Sequence, residues 1–452
     1  MERNLNVDLL QWKDQKNRKP LLLQGARQVG KTYLLTEFGQ KSFKKLHVIN
    51  FEDIRFKAIF KNGPASLDSI LLNLQALLAT KININDDLVF FDEIQECPEA
   101  IHSLKYFYEK LPKLALVCAG SHIGVSGSNG AFPVGKVDFK TLYPLNFSEF
   151  LKHRNPILEE MQKSAKASFN LDDNIHKQLW DDYLLYTLVG GMPEAVSAFF
   201  NAASTYDGLE DARKIHLSLL KGYNNDFSKY CSKTMGHKIL AIFNSVASQL
   251  QAVHDKSSKR FAFKDIISGQ SRYSHLEDAI DWLVLSGLVY KTPMVSQPRI
   301  PLNAYAKPNL FKLNFLDIGL LNTQLDVPFN DVINQEPHSY KGFIAEQFVN
   351  QQMQNVFAKS IYSWTNGRAE IEFVLQINGN IIPVEVKSGK RVKSKSLNSY
   401  KQKYLPKLAI KFSANNMRLE DNHLNAPIYM AEYIFAMVQT FLNQPHSYKN
   451  LR

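Results

Sequence analysis

The sequence lacks the features of secreted and membrane-spanning proteins. It contains only three cysteines, Cys97, Cys118 and Cys231, and their spacing fits no metal site. So few thiols are typical of a protein from a reducing compartment. No apolar run approaches the roughly 18 residues that a membrane-spanning helix requires, and the N-terminal segment has no apolar core of a secretory signal. We therefore expect a cytoplasmic protein that does not engage a membrane.

Acidic residues are also in deficit. The chain carries 54 Lys and Arg residues against 43 Asp and Glu residues, a net charge of +11. This excess permits an anionic partner such as DNA or another nucleic acid, but a diffuse lysine surface gives solubility as well. One basic cluster contains Lys387, Lys390, Arg391, Lys393, Lys395, Lys401, Lys403 and Lys407. Such a cluster would suit contacts to phosphates.

A phosphate-binding loop is the most specific motif in the sequence. The stretch from Gly25 to Thr32 (GARQVGKT) fits the pattern G-x-x-x-x-G-K-[ST]. Gly25 and Gly30 permit backbone angles and a close approach that a side chain would prevent. The loop amides and the N-terminus of the following helix then bind phosphate. We expect Lys31 to contact the β- and γ-phosphates of ATP and Thr32 to ligate Mg²⁺. The other predicted nucleotide contacts are Ala26, Arg27, Gln28, Val29 and Tyr33.

A second motif supplies carboxylates for the same reaction. Residues 88–93 (LVFFDE) are four apolar residues followed by Asp92 and Glu93, which predicts a buried strand ending at the active edge of a sheet. Asp92 would belong to the Mg²⁺ shell, and Glu93 would polarise the attacking water. Alone, the pattern also fits an ordinary strand end. Together with Lys31 it predicts ATP hydrolysis.

Apolar runs and helical patterns alternate through residues 1–155. This alternation predicts an α/β fold, with a parallel sheet covered by helices on both faces. The expected strands are Leu21–Leu23, Leu46–Phe51, Leu88–Asp92, Leu114–Ala119 and Val137–Leu145. Pro98–Lys110 is an expected helix, and Val125–Phe132 is a glycine- and serine-rich loop. Ser121 follows the fourth strand, and we predict that it senses the γ-phosphate, although Gly-Ser after a strand is also an ordinary turn.

Six segments carry a resemblance to a known family. They are Lys19–Thr32, Phe91–Gln95, Pro133–Lys136, Tyr143–Phe150, Gly190–Glu194 and Tyr223–Tyr230. Together they resemble a prokaryotic family of predicted AAA+ ATPases, and the resemblance extends over nearly the whole chain. It implies an AAA+ core, a helical segment with a winged helix, and a C-terminal domain resembling the restriction-endonuclease fold. It implies no defined physiological role.

These patterns and the resemblance predict four domains. They are an AAA+ P-loop core at 1–155, a helical lid or connector at 156–235, a winged-helix-like domain at 236–300, and a restriction-endonuclease-like α/β domain at 301–452. AAA+ lids often supply an arginine to the nucleotide, but no motif singles out Arg213 for this role. Lys136 stands where related proteins often have an arginine. Whether hydrolysis requires a homo-oligomer is therefore left open.

The predicted winged helix offers one route to DNA. A leucine- and alanine-patterned helix at His237–Leu250 and a second helix at Leu276–Ser286 precede a β-rich segment that starts at Gly287. The residues before the second helix are Arg272, Tyr273 and His275. Such helices can enter a major groove, but a structural or protein-contacting role is equally expected.

A second constellation of charged residues lies near the C-terminus. Ala369–Leu375 and Ile382–Lys387 predict a hairpin that turns at Asn378-Gly379. Alternation puts Glu370 and Glu372 on one face of their strand and Glu385 and Lys387 on one face of theirs. This is the layout of a PD-(D/E)xK nuclease, in which carboxylates bind Mg²⁺. The residues of this second metal site would be Glu346, Glu372 and Glu385, with Lys387 beside them. Alternating Glu and Lys also keeps an exposed sheet soluble, so we favour a degenerate fold used for binding.

The leading hypothesis is an ATP-binding AAA+ protein that hydrolyses ATP with Mg²⁺ and drives a C-terminal module acting on nucleic acid. One alternative is a metal-dependent nuclease regulated by nucleotide. Another is a signalling switch that binds ATP with little turnover. The sequence does not distinguish the substrate or the oligomeric state.

Overall fold

The computed structural model describes residues 1–61, 66–121, 133–230, 232–254, 260–336, 340–357, 360–367, 369–389 and 394–443. These residues form two compact units, one of Met1–Tyr143 with Leu285–Leu288 and one of Pro144–Val284 with Val289–Arg452. The predicted loop Val125–Phe132, Cys231, Lys390, Arg391 and Lys393 lie outside the described residues. The division into four domains stays a prediction.

The first unit is built on a parallel sheet of five short strands. They are β1 (Leu21–Gln24), β2 (Leu46–Asn50), β3 (Leu88–Asp92), β4 (Ala115–Ala119) and β5 (Asp138–Thr141). Their order is β2-β3-β4-β1-β5, and every pairing is parallel. β5 is shorter than the predicted strand Val137–Leu145, and Pro144 in that stretch has no N–H to donate to a ladder. The predicted α/β class is confirmed.

In the described part of this unit, five helices accompany the sheet. They are α1 (Leu5–Lys13), α2 (Lys31–Ser42), α3 (Ile54–Lys61), α4 (Leu67–Leu78) and α5 (Pro98–Lys110). The core between sheet and helices contains a chain of edge-to-face aromatic contacts: Phe51 meets Phe60 and Phe91 at 5.3 Å between ring centroids, and Phe91 meets Phe107 at 5.7 Å. Such pairs add to burial because ring edges and faces carry opposite partial charge. This core fixes β3, and with it the position of Asp92 at the strand end.

The second unit contains many helices and one mixed sheet. Its helices are α6 (Phe147–Arg154), α7 (Pro156–Ser168), α8 (Asp173–Val189), α9 (Pro193–Asn201), α10 (Thr205–Tyr230), α11 (Lys233–His254), α12 (Tyr273–Leu285), α13 (Ile318–Gln324), α14 (Phe329–Ile333), α15 (Lys341–Val356), α16 (Lys395–Tyr404) and α17 (Ile434–Asn443). Its strands are β6 (Val289–Val295), β7 (Ala306–Phe315), β8 (Tyr362–Asn366), β9 (Ala369–Ile377), β10 (Asn380–Val386), β11 (Ala409–Ser413), β12 (Arg418–Glu420) and β13 (His423–Pro427).

The mixed sheet joins two of the predicted domains. Its order is β12-β13-β11-β10-β9-β8-β6-β7. β6 pairs antiparallel with β7 and parallel with β8, so the β-rich pair after α12 forms one edge of the C-terminal sheet. The predicted boundary between residues 300 and 301 thus falls in the connection of a hairpin. The predicted β9–β10 hairpin is present, and Asn378 and Gly379 at its turn both have positive φ, 48° and 71°.

A buried aspartate holds the centre of the second unit. Asp317 is fully buried and caps α13, accepting hydrogen bonds from Gly319 N and Leu320 N. Its other carboxylate oxygen accepts from Gly191 N at 2.6 Å and from Gln351 Nε2 at 2.9 Å. Burial raises the pKa of Asp317, and these donors oppose the rise. The segment Gly190–Glu194 therefore serves to pack this unit.

Within the described ranges, no helix is both long and apolar enough to cross a membrane.

Candidate functional site

The phosphate-binding loop connects β1 to α2, and two of its glycines have backbone requirements. A Cβ atom at Gly25 would lie 2.3 Å from the carbonyl oxygen of Leu142, which is inside van der Waals contact. Gly30 precedes α2 with φ 92° and ψ 26°, a left-handed conformation that favours glycine. The predicted strand, glycine loop and helix are thus all present.

Lys31 is the first residue of α2 and is only 8% exposed. Its Nζ donates to the carbonyl oxygens of Gly25 at 3.0 Å and Ala26 at 2.8 Å. Burial lowers the pKa of Lys31 to about 8, although Glu93 and Asp92 oppose this effect. The ammonium therefore lies inside the loop, where a phosphate chain would meet it.

Thr32 and Asp92 come together across two elements. Thr32 Oγ1 on α2 donates to Asp92 Oδ1 at the end of β3, over 3.1 Å. Asp92 is buried, and burial together with the neighbouring Glu93 raises its pKa. A hydroxyl and a carboxylate at this distance are the hard oxygen donors that suit Mg²⁺. The predicted pair is therefore assembled by the fold.

Glu93 follows β3 in an unusual backbone conformation. Its φ is 48°, which is the left-handed region and costs about 1–2 kcal/mol for a residue with a Cβ. Its N–H donates to Asp92 Oδ1 at 3.1 Å, and Gln95 Nε2 donates to Glu93 Oε2. Gln95 belongs to the segment Phe91–Gln95, but no sequence pattern indicated a role for it. Its amide is the group that holds the Glu93 carboxylate.

Ser121 follows a strand that pairs with the strand leading into the loop. It follows β4, which lies between β1 and β3 in the sheet. Gly120 N donates to Leu23 O at 3.3 Å, so Ser121 comes directly after a residue that is hydrogen-bonded to the strand before the loop. No hydrogen bond of the Ser121 side chain supports the predicted sensor role, which stays a prediction.

The remaining predicted contacts surround this centre. Ala26 and Val29 are buried in the loop, Gln28 and Tyr33 are exposed, and Arg27 is half-buried with its charge lowering the pKa of Lys31. The apolar side chains of the loop are therefore buried, and Gln28 is open to solvent.

One loop contact could not be predicted from the sequence. Arg3 is 7% exposed; its Nη1 donates to Val29 O at 3.1 Å and its Nη2 to Tyr143 O at 2.6 Å. A guanidinium presents several donors in a rigid fork, which suits bridging two carbonyls. Because Arg3 lies far from the motif in sequence, no local pattern could have indicated it.

The structure also brings the C-terminal charged residues together. Lys387 Nζ lies 2.9 Å from Glu372 Oε1 and 3.6 Å from Glu385 Oε1. Glu372 Oε2 accepts from Val386 N at 3.3 Å. Burial raises the pKa of Glu372 to about 7 against the opposing charge of Lys387. The predicted juxtaposition of these three side chains is therefore present.

A second lysine, which the sequence motifs did not include, completes this cluster. Lys312 on β7 is 5% exposed, and its Nζ lies 2.5 Å from Glu370 Oε1 and 3.7 Å from Glu346 Oε2. The sequence feature that could have indicated this lysine is its position inside the apolar stretch Phe311–Phe315. An ammonium is found in such a position only when it is paired.

The predicted second metal site is not supported by this arrangement. Across the described parts of the chain, no group of three His, Cys, Asp or Glu side chains is placed to hold a metal ion. Glu346 faces Lys312, while Glu372 and Glu385 face Lys387. The carboxylates are thus neutralised by ammonium groups of the chain itself.

The predicted DNA-reading helix carries the wrong charge on its exposed face. Arg272 lies just before α12 and is exposed, whereas Tyr273 and His275, which were predicted to precede the helix, lie in its first turn. The exposed acidic residues along α12 are Glu277, Asp278 and Asp281. Asp281 lies 3.7 Å from Lys291. Carboxylates repel the phosphates that flank a major groove, so this face is a poor recognition surface.

Both basic side chains considered for the nucleotide have partners within the chain, and their role stays open. Arg213 Nη1 lies 3.4 Å from Asp326 Oδ1, and its guanidinium stacks 4.0 Å from the Phe329 ring centroid. Lys136 Nζ lies 3.2 Å from Glu109 Oε1. Both side chains support local packing.

Family models match three parts of the chain. Residues 17–151 match a family described as an AAA domain. Residues 180–331 and 341–431 match two families, each described as a domain of unknown function (DUF8612 and DUF4143). No curated protein matches the chain. The predicted restriction-endonuclease-like fold receives no support from these matches and stays a prediction.

The solved structures that are similar to this chain include two protein–DNA complexes and a branch migration motor. The Aeropyrum pernix ORC1 protein in complex with DNA has 12% identity and a TM-score of 0.29, over 73% of this chain and 94% of that chain. Drosophila ORC bound to DNA has 16% identity and a TM-score of 0.26, over 74% and 95%. The Thermotoga maritima RuvB Holliday junction branch migration motor has 13% identity and a TM-score of 0.28, over 65% and 90%. Because these TM-scores are low, the description of the first domain rests on the family match and the strand order.

The match at residues 17–151, the parallel five-stranded sheet and the loop around Lys31 agree with one another. Residues 17–151 therefore resemble an AAA domain and carry the loop of the P-loop ATPase class.

Proposed function

We propose that the chain binds ATP with Mg²⁺ and hydrolyses it. The observation that carries this proposal is the hydrogen bond from Thr32, at the end of the loop, to Asp92, together with the charges of Glu93 and Asp92 that act on the buried Lys31. It joins the phosphate-binding and carboxylate motifs into a single centre. A carboxylate at the end of an ordinary strand would not be expected to accept a hydrogen bond from the hydroxyl of a phosphate-binding loop.

Each of these side chains has a distinct part in the reaction. Lys31 binds the β- and γ-phosphates, and Thr32 and Asp92 would hold Mg²⁺, which neutralises charge on the phosphate oxygens. Glu93 orients a water and accepts its proton as the water attacks the γ-phosphorus. Gly25 and Gly30 keep the loop backbone open so that its amides reach the phosphates. Ser121, at the end of β4, senses the γ-phosphate.

Two substitutions test this proposal. Lys31→Ala should abolish ATP binding, and Glu93→Gln should retain binding while phosphate release falls by about 10²–10⁴-fold. Lys41→Ala is the matched control, because Lys41 lies on the same helix and is exposed. Unchanged phosphate release in both variants would contradict the proposal. ATP binding without phosphate release in the wild type would indicate a switch with little turnover.

We also propose that the C-terminal module contacts nucleic-acid phosphates through α16. This helix contains no acidic residue, and its exposed lysines Lys395 and Lys403 are continued by Lys407. Beneath them, Tyr400 packs its ring 5.0 Å from Trp364, which fixes the helix on the sheet. Exposed ammonium groups on a helix without acidic residues suit contacts to a phosphate backbone, whereas the exposed face of α12 is acidic.

A salt titration of DNA binding tests this surface. Affinity should fall steeply with salt, and Lys395→Glu with Lys403→Glu should lower the log–log slope by about 0.9 for each phosphate that is no longer neutralised. Lys163→Glu on α7 is the control, because Lys163 is also an exposed helical lysine. The titration is run with and without a non-hydrolysable ATP analogue. Equal slopes in the α16 and control variants would place the DNA-binding surface elsewhere.

A further inference from the structure

The mixed sheet of the second unit contains a lysine that neither the ATP site nor the α16 surface uses. Lys312 lies on β7, where Phe311, Leu313 and Phe315 are buried as well. Burying an ammonium in such surroundings is strongly unfavourable unless it is paired and hydrogen-bonded. The fold must therefore supply negative charge at this position.

That charge comes from two other elements. Glu370 on β9 and Glu346 on α15 reach Lys312 Nζ at 2.5 Å and 3.7 Å. The ammonium thus connects two carboxylates from a strand and a helix that are distant in sequence. A divalent cation bound by carboxylates would make the same kind of connection.

The neighbouring lysine repeats this arrangement. Lys387 lies between Glu372 and Glu385, so four buried or half-buried carboxylates face two ammonium groups. Each lysine side chain is part of the fold and does not exchange with solvent ions. The cluster holds its own cations.

We propose that Lys312 is the resident cation of this cluster and takes the place that a divalent metal ion occupies in carboxylate centres. The C-terminal centre is then independent of metal and does not cleave nucleic acid. Burial alone would lower the pKa of Lys312. The charges of Glu370 and Glu346 raise it by more than burial lowers it, so the pKa lies above its ordinary value. These two carboxylates therefore favour the charged form of Lys312. The proposal does not depend on ATP hydrolysis.

Removing the ammonium should turn the cluster into a metal site. In Lys312→Met the carboxylates of Glu346 and Glu370 keep their positions but lose their cation. We expect Mn²⁺, followed by its free-ion EPR signal in the full chain without nucleotide, to bind at least about tenfold more tightly than to wild type. Lys312→Arg keeps the charge and is the matched control, with no gain expected. Adding Glu370→Gln to Lys312→Met should remove the new site.

A stability measurement covers the case in which Lys312→Met folds poorly. Mn²⁺ should raise its thermal midpoint, because a ligand that binds only the folded state stabilises it, and should leave the wild-type midpoint unchanged. The proposal is overturned if wild type binds Mn²⁺ at a site that Glu370→Gln abolishes. It is also overturned if Lys312→Met shows neither binding nor stabilisation, or if wild type cleaves plasmid DNA with Mg²⁺ and Glu385→Ala stops the cleavage.

Discussion

Gly190→Ala should destabilise the second unit severely. Gly190 ends α8 with φ 67° and ψ −166°, a region that is essentially restricted to glycine and costs about 1–3 kcal/mol for other residues. An added Cβ would lie 2.2 Å from Asp317 Oδ1 and 2.8 Å from Gly319 N. Asp317 would have to move away from its buried donors. Each hydrogen bond to a charged group contributes about 1.5–3 kcal/mol, so we expect a total loss of about 4 kcal/mol.

Urea unfolding followed by tryptophan fluorescence measures this loss, because Trp180, Trp282 and Trp364 all lie in the second unit. The matched control is Gly222→Ala within α10, where an added Cβ meets nothing within 4 Å. That variant should be as stable as wild type or gain up to about 1 kcal/mol, because alanine favours helix. If the free energy of unfolding of Gly190→Ala lies within about 1 kcal/mol of the Gly222→Ala value, the structural role assigned to Asp317 is refuted.

Three further outcomes concern the ATP site. Arg3→Ala should weaken ATP binding by about tenfold, measured by calorimetry, because the carbonyl of Val29 loses a charged donor. The ATP dissociation constant should rise by up to about tenfold per pH unit above pH 8. The reason is that the pKa of Lys31 is lowered to about 8 in the free protein, and phosphate binds the charged form of Lys31. Lys31→Arg should remove this pH dependence, because arginine stays charged. Gln95→Ala should lower kcat by about tenfold with an unchanged KM, and should have no further effect in a Glu93→Gln background.

The parts of the ATP site that could be predicted are those encoded by contiguous residues. The loop needs glycines at fixed spacing, and β3 needs four apolar residues before Asp92, so both appear as short patterns. The same holds for the β9–β10 hairpin, whose turn requires positive φ at Asn378 and Gly379. Each of these features depends on local backbone geometry. Their positions in the structure agree with the sequence because no distant contact was needed to specify them.

The unpredicted contacts of Arg3 and Lys312 join segments that are distant in the sequence, whereas the unpredicted contact of Gln95 with Glu93 is local. Lys312 and Glu370 lie on strands that are separated in the sheet order by β6 and β8, and nothing in the alternation of either strand identifies the other as its partner. The same pattern of Glu370, Glu372, Glu385 and Lys387 is compatible with a metal centre until a further ammonium is placed beside it. A single side chain from β7 therefore changes the chemistry that the motif implies. For a charged cluster of this kind, the function depends on the whole set of counter-ions, and that set is defined only by the tertiary fold.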